Sequence, residues 1–127
     1  MPISTVNVSS PSNEIVFTDT AMGAAIDGIK ASSAQVYSIS VNNLLNGTSV
    51  YLKLYNLASG SVIVGTTAPD QIVLVPANAI VVENYFTSGS TPGKTFAVAL
   101  SAACVTTGGT TGTTSPASSV IVSVSYV

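Results

Sequence analysis

The chain reads as an all-β protein: an antiparallel two-sheet sandwich of Greek-key or jelly-roll type with about eight strands. Three observations predict this. Short segments alternate apolar and polar residues with a period of two, the mark of half-buried strands. Turn-forming clusters of Gly, Pro, Asn and Ser separate those segments at short intervals. The one stretch of helical composition, residues 19–34 (DTAMGAAIDGIKASSA), is interrupted by Gly23 and Gly28. Each glycine costs about 1 kcal/mol in a helix interior, so the stretch reads as a loop with at most one helical turn.

The elements follow in order. Residues 1–13 (MPISTVNVSSPSN) carry two prolines and the strand-forming Ile3, Val6 and Val8, and read as an extended N-terminal arm. Residues 14–127 form one β-sandwich domain. Its first strand is 14–18 (EIVFT). In 35–45 (QVYSISVNNLL), Tyr37, Ile39 and Val41 share one face and Ser38 and Ser40 the other. Asn46-Gly47 tolerates positive φ at both positions and predicts a tight hairpin turn. The return strand, 50–55, places Val50, Leu52 and Leu54 inside and Tyr51, Lys53 and Tyr55 outside.

Residues 61–64 (SVIV) read as a short strand and 65–70 as a turn. Residues 71–75 (QIVLV) are apolar on both faces, which suggests that one face meets a neighbour. The strand 79–86 sets Ile80, Val82 and Phe86 against Val81, Glu83 and Tyr85. In 96–105, Phe96, Val98, Leu100, Ala102 and Cys104 share the inward phase. Residues 106–117 (TTGGTTGTTSPA) form a long loop without an apolar anchor, either mobile or a contact to a partner. Val120, Val122, Val124 and Tyr126 share one face of the last strand.

Composition limits the function. The 127 residues fit one domain. Charged residues make up 6%, against about 25% in an ordinary domain. They are Lys30, Lys53, Lys94, Glu14, Asp19, Asp27, Asp70 and Glu83. A monomer of this size exposes roughly 6,000 Å², so most patches of interface size, about 800 Å² a side, hold about one charge. Such a surface docks on neighbours with little charge desolvation. Nucleic acid is excluded as a partner for want of clustered Lys and Arg. No run approaches the roughly 20 apolar residues of a membrane span. The N-terminus lacks the basic and apolar regions of a secretory signal, and the single Cys104 allows no internal disulfide. These features point to synthesis in a reducing cytoplasm.

No motif carries catalysis. Gly89-Ser90-Thr91-Pro92-Gly93-Lys94-Thr95 looks like a phosphate-binding loop but is one residue short between its first Gly and Gly-Lys-Thr. A strand-like FAVALSA follows it where such a loop needs a helix, so it reads as a hairpin loop. Asn7-Val8-Ser9 and Asn46-Gly47-Thr48 match the glycosylation pattern by chance. With no His in the chain, Cys104 has no nucleophile-activating partner, and no zinc site can be assembled. Asp19 and Asp27 fall short of the six to eight oxygens that calcium takes. No acid–base pair is evident. The expectation is a protein that is not an enzyme and holds no cofactor or metal.

Tyr51-Leu52-Lys53-Leu54-Tyr55-Asn56, Val64-Gly65-Thr66-Thr67-Ala68-Pro69-Asp70 and Val75-Pro76-Ala77 form one set of quotable stretches. Ala103-Cys104-Val105-Thr106-Thr107-Gly108-Gly109-Thr110 and the closing IVSVSYV form another. Together they resemble small β-sandwich virion structural proteins of tailed bacteriophages, of the capsid decoration (cement) kind. The resemblance covers roughly residues 35–127, with Asn78 standing where that pattern usually has Gly.

The resemblance implies a structural protein at the capsid surface of the virion, made in the host bacterial cytoplasm. It would bind the major capsid protein of the assembled head and stabilise the shell. It also implies self-association as a homotrimer. Candidate subunit or capsid contacts are Ile3, Val6, Val8, Val73, Val75 and Val81. The alternative is a host-attachment module of a tail, baseplate or head fibre that binds carbohydrate on an aromatic surface of Tyr51, Tyr55 and Tyr85.

Overall fold

The computed structural model describes residues 13–85 and 93–127. Among them the regular structure is all β, apart from one 3-10 turn at Ser59–Ser61. Nine strands run in chain order: β1 (Ile15–Asp19), β2 (Asp27–Lys30), β3 (Ala34–Asn42), β4 (Val50–Tyr55), β5 (Gln71–Val75), β6 (Ile80–Asn84), β7 (Lys94–Phe96), β8 (Leu100–Val105) and β9 (Ile121–Tyr126). One sheet has the order β1-β9-β3-β6, with β7 also paired to β3; the other has the order β2-β8-β4-β5. We call them sheet A and sheet B.

The topology is that of a rolled ribbon. Antiparallel pairing joins β4 to β5, β3 to β6, β2 to β8 and β1 to β9. These pairs are the successive rungs of one long double strand whose tip is the β4–β5 hairpin. Rolling this ribbon sends alternate rungs to opposite sheets and adds the pairs β3–β9 and β4–β8. That arrangement is a jelly roll. It buries one apolar face of each sheet against the other, and one cluster fills the space between them. Val36, Ile39, Val41, Val122 and Val124 come from sheet A; Leu52, Leu54, Val73, Val75, Leu100 and Cys104 come from sheet B.

Several local expectations give way to the tertiary arrangement. Asn46-Gly47 is not a hairpin turn. Its flanking strands lie in different sheets, and Gly47 is absent from the residues with positive φ. The segment 43–49 is instead an arch between the sheets. The residue that takes the left-handed conformation is Asn78, at φ 54°, on the β5–β6 arch. Asn tolerates that region better than other side chains, which accounts for Asn where the resembling pattern has Gly.

The expected strand 61–64 is a turn, because Thr66 and Thr67 both donate to the Ile63 carbonyl. The supposed helical stretch contains β2. In β3, Tyr37 is the extra residue of a bulge opposite β9. The inward phase therefore passes from Val36 to Ile39 and Val41, and Tyr37 drops out of it. Residues 96–105 are two strands. After Phe96 the chain leaves sheet A and enters sheet B at Leu100, which leaves Val98 exposed in the crossing. Phe86 lies outside the described residues, as do the arm and most of the loop resembling a phosphate site. Lys94 at the end of that loop starts β7, a strand rather than a helix.

The arches are tied together at one end of the sandwich by two buried asparagines, Asn43 and Asn46. Asn43 Nδ2 donates to the carbonyls of Thr48 and Pro76, both at 3.0 Å. Asn46 Nδ2 donates to Asn43 Oδ1 at 2.9 Å and to the Ser118 carbonyl at 3.0 Å. Asn46 Oδ1 accepts from the Ser118 amide at 2.8 Å. Both side chains use all their donors and acceptors. Removing one leaves buried backbone groups unpaired, at about 1–3 kcal/mol each. Asn46→Ala should therefore lower stability by roughly 2–4 kcal/mol. Gly47→Ala should change it by less than about 0.5 kcal/mol, because a Cβ there meets nothing within 4 Å. Urea unfolding of the two variants measures both effects.

Candidate interaction face

The two sheets present very different outer faces. On sheet B the outward phase of β4 holds Tyr51, Lys53 and Tyr55, as the alternation requires. None of the three is freely exposed, and over Tyr51 and Lys53 the segment 106–117 folds back as a strap. The Thr106 amide donates to the Thr114 carbonyl at 3.0 Å and closes the strap on itself. Lys53, fully buried, points up into it and donates from Nζ to the Thr111 carbonyl at 2.7 Å. Burial holds the Lys53 pKa below its ordinary value, and no carboxylate contributes to that shift.

The composition of the strap follows from this closeness. A Cβ at Gly108 would lie 2.9 Å from the Tyr51 ring. Gly112 has φ 107° and approaches Thr107 so closely that a Cβ would lie 2.6 Å from its Cβ. Near the end of the strap, Ser115 Oγ accepts from the Ala24 amide at 2.9 Å. Small residues on β8 (Ser101, Ala103) leave room on the same outer face, and Ser101 Oγ donates to the Leu57 carbonyl at 2.8 Å. β8 is buried along its whole length as a result.

The proposed aromatic surface therefore does not exist as an exposed platform. Tyr51 is half-buried beneath Gly108. Tyr55 is fully buried, and its hydroxyl has no hydrogen-bond partner. Tyr85 sits at the other flank, partly packed on the core and hydrogen-bonded to Gln71.

Sheet A carries no such cover among the described residues. The pairings align its outward side chains in three rows across the strands. The first holds Ile80, Asn42 and Ile121. The second holds Val82, Ser40, Ser123 and Thr18. The third holds Asn84, Ser38, Ser125 and Val16. None of these side chains is charged. A ladder of short hydroxyls occupies the middle, with aliphatic side chains on both flanks. Thr18 Oγ1 and Ser123 Oγ share a hydrogen bond at 3.2 Å, and Glu14, at one corner, is engaged by Ser125.

The contact candidates chosen from sequence change phase here. Val73 and Val75 lie in the core, and Val81 packs against it. Their alternates Ile72, Leu74, Ile80 and Val82 are the exposed aliphatics. The strands are apolar on both faces, so the sequence held no signal for which phase is the core. The register supplies it: Ile72 pairs with Lys53 and Val73 with the buried Leu52. Ile3, Val6 and Val8 lie outside the described residues.

The ionisable groups offer little chemistry. Burial pushes the Cys104 thiol up to about 12, which keeps it protonated and unreactive. Among the described residues, no three His, Cys, Asp or Glu side chains gather as a metal site. Asp19, ending β1, and Asp27, beginning β2, do come together across the two sheets. Asp27 Oδ2 is buried without a donor from the rest of the protein. Burial and then the Asp19 carboxylate raise Asp27 to about 6, while Asp19, hydrogen-bonded to it, is lowered. No protein family, curated protein or solved structure matches the chain.

Two predictions follow from these two groups. Lys53→Met should loosen the strap, since a hydrogen bond from a charged donor contributes about 1.5–3 kcal/mol. The Thr106 amide should then exchange with solvent at least about tenfold faster, as read by hydrogen-exchange NMR. Asp27 is raised in the folded state, so its stabilisation is full below 3.8 and disappears as pH rises through about 6. The thermal midpoint should therefore rise when pH is lowered from 7 toward 4. Asp27→Asn, which keeps a donor for Asp19 but cannot titrate, should flatten that window.

Proposed function

We propose that the chain is a non-enzymatic virion structural protein of a tailed bacteriophage. In this reading it is a capsid decoration protein that binds the major capsid protein of the assembled head and stabilises the shell. The observation that carries the reading is the asymmetry of the sandwich. One outer face is roofed by the protein's own strap. The other is a broad, uncharged face of serines flanked by aliphatics. A surface of that kind meets a flat protein neighbour without burying an unpaired charge. The identity of the neighbour comes from the resemblance of residues 35–127 to decoration proteins.

The mechanism is mass action. A ligand that binds only the assembled lattice stabilises the lattice, and many copies placed by symmetry multiply weak individual contacts. The resemblance implies self-association as a homotrimer, and shell binding does not depend on that number of copies. The carbohydrate-binding alternative loses its support with the burial of Tyr51 and Tyr55.

Antibody against the protein, applied to purified particles from its source, is expected to label the head surface at many sites per particle. Thr18→Lys combined with Ser40→Lys should abolish incorporation while circular dichroism stays unchanged. Label confined to a tail vertex would reassign the protein to host attachment. Particles without label, with all the protein in the soluble fraction, would refute a virion role.

A further inference from the structure

Both sheets end on the same flank, with β6 the edge of sheet A and β5 the edge of sheet B. Among the described residues, the outer edge of neither strand pairs with anything. Native proteins blunt open edges with lysine, proline or a bulge. The β2 edge has such a bulge, whereas β5 and β6 pair in unbroken register, contain neither Lys nor Pro, and carry a single charge, Glu83. The flank also exposes four aliphatics, Ile72 at 38%, Leu74 at 53%, Ile80 at 52% and Val82 at 58%. A hydrogen bond between Gln71 and Tyr85 holds the two edge strands together as one surface.

We infer that this flank is a two-fold contact between copies of the chain, made by antiparallel pairing of β6 with β6 of a second copy. The inference concerns how copies meet one another and goes beyond the shell-binding reading. The edge is self-complementary. Centred on Val82, the pairing sets Val82 against its counterpart, Ile80 against Asn84 and Val81 against Glu83. The register therefore keeps the two Glu83 carboxylates from facing each other, where like charges would destabilise the pair. The same axis brings Ile72 and Leu74 alongside their counterparts on sheet B.

The area is adequate for a weak dimer. Five residues span about 17 Å, and two sheets about 10 Å apart with their side chains measure about 20 Å across. The flank thus offers roughly 350 Å² in projection per copy, about 700 Å² in all, which is below the roughly 1,200 Å² of stable interfaces and fits only a weak, transient contact. Self-pairing of one edge closes at two copies, where the resemblance implies three.

Sedimentation velocity of the full chain from 1 to 200 µM tests this. The expected particle at the upper end has twice the 12.7 kDa chain mass. Leu74→Lys and Val82→Lys, both at exposed positions, should each weaken dimerisation at least tenfold with unchanged circular dichroism. Thr18→Lys, on sheet A away from the flank, should not weaken it. A monomer at 200 µM, a trimer, or a dimer indifferent to Leu74→Lys and Val82→Lys would each overturn the inference. Because the measurement uses the pure protein, its failure leaves shell binding untouched, and failure of shell binding leaves the dimer untouched.

Discussion

The fold depends on closing one end of a rolled ribbon, and Asn43 and Asn46 supply that closure. A jelly roll sends its chain back and forth between sheets, and each crossing exposes backbone that neither sheet can pair. Three crossings meet at this end: the β3–β4 arch, the β5–β6 arch and the approach to β9. Two carboxamides satisfy all three, because each offers two donors and an acceptor in a fixed plane. An aliphatic pair would fill the same space but leave the carbonyls of Thr48, Pro76 and Ser118 without these partners, at about 1–3 kcal/mol for each group that water does not reach.

The asymmetry of the two outer faces has a comparable origin. A lysine on the outward phase of β4 would ordinarily extend into water. Here its apolar stem crosses the sheet surface between Ile72 and Ala103, and its ammonium group is capped by the Thr111 carbonyl. The strap that supplies this carbonyl has no apolar anchor of its own. Its glycines allow the backbone to lie within contact of Tyr51 and Thr107, and a charged hydrogen bond in a water-poor setting does the holding. Lys53 thus helps to hold the roof on sheet B, together with the Thr106–Thr114 and Ala24–Ser115 hydrogen bonds.

Much of the fold was legible before any coordinates. The alternation in 35–45, 50–55 and the last ten residues placed three strands and the facing of most of their core residues. The inward phase of Leu100, Ala102 and Cys104 was equally readable, whereas Lys94 and Thr95 read as loop and belong to β7. What escaped were features in which a local signal competed with a distant partner. Asn46-Gly47 has the composition of a primed turn, but Asn46 is held by Ser118, 72 residues away along the chain. Tyr37 alternates correctly with Ile39 until the bulge opposite β9 removes it from the series. Residues 72–75 and 80–82 are apolar at every position, so their phase had no sequence signature, and the exposed set was missed.

The sequence by itself determined the fold class, the near absence of charge and the strand periods that build a core. These are local or compositional properties, set by side-chain chemistry at a spacing of two. Only the tertiary structure decided which turns cross between sheets, which phase of β5 and β6 faces outward, that Tyr51 and Lys53 lie beneath the chain's own strap, and that Tyr55 is buried. It also decided that Asp19 and Asp27 lie close enough to shift each other's pKa. Each of these depends on contacts between residues far apart in the chain, whose free energy of burial and pairing exceeds the preference of any short segment.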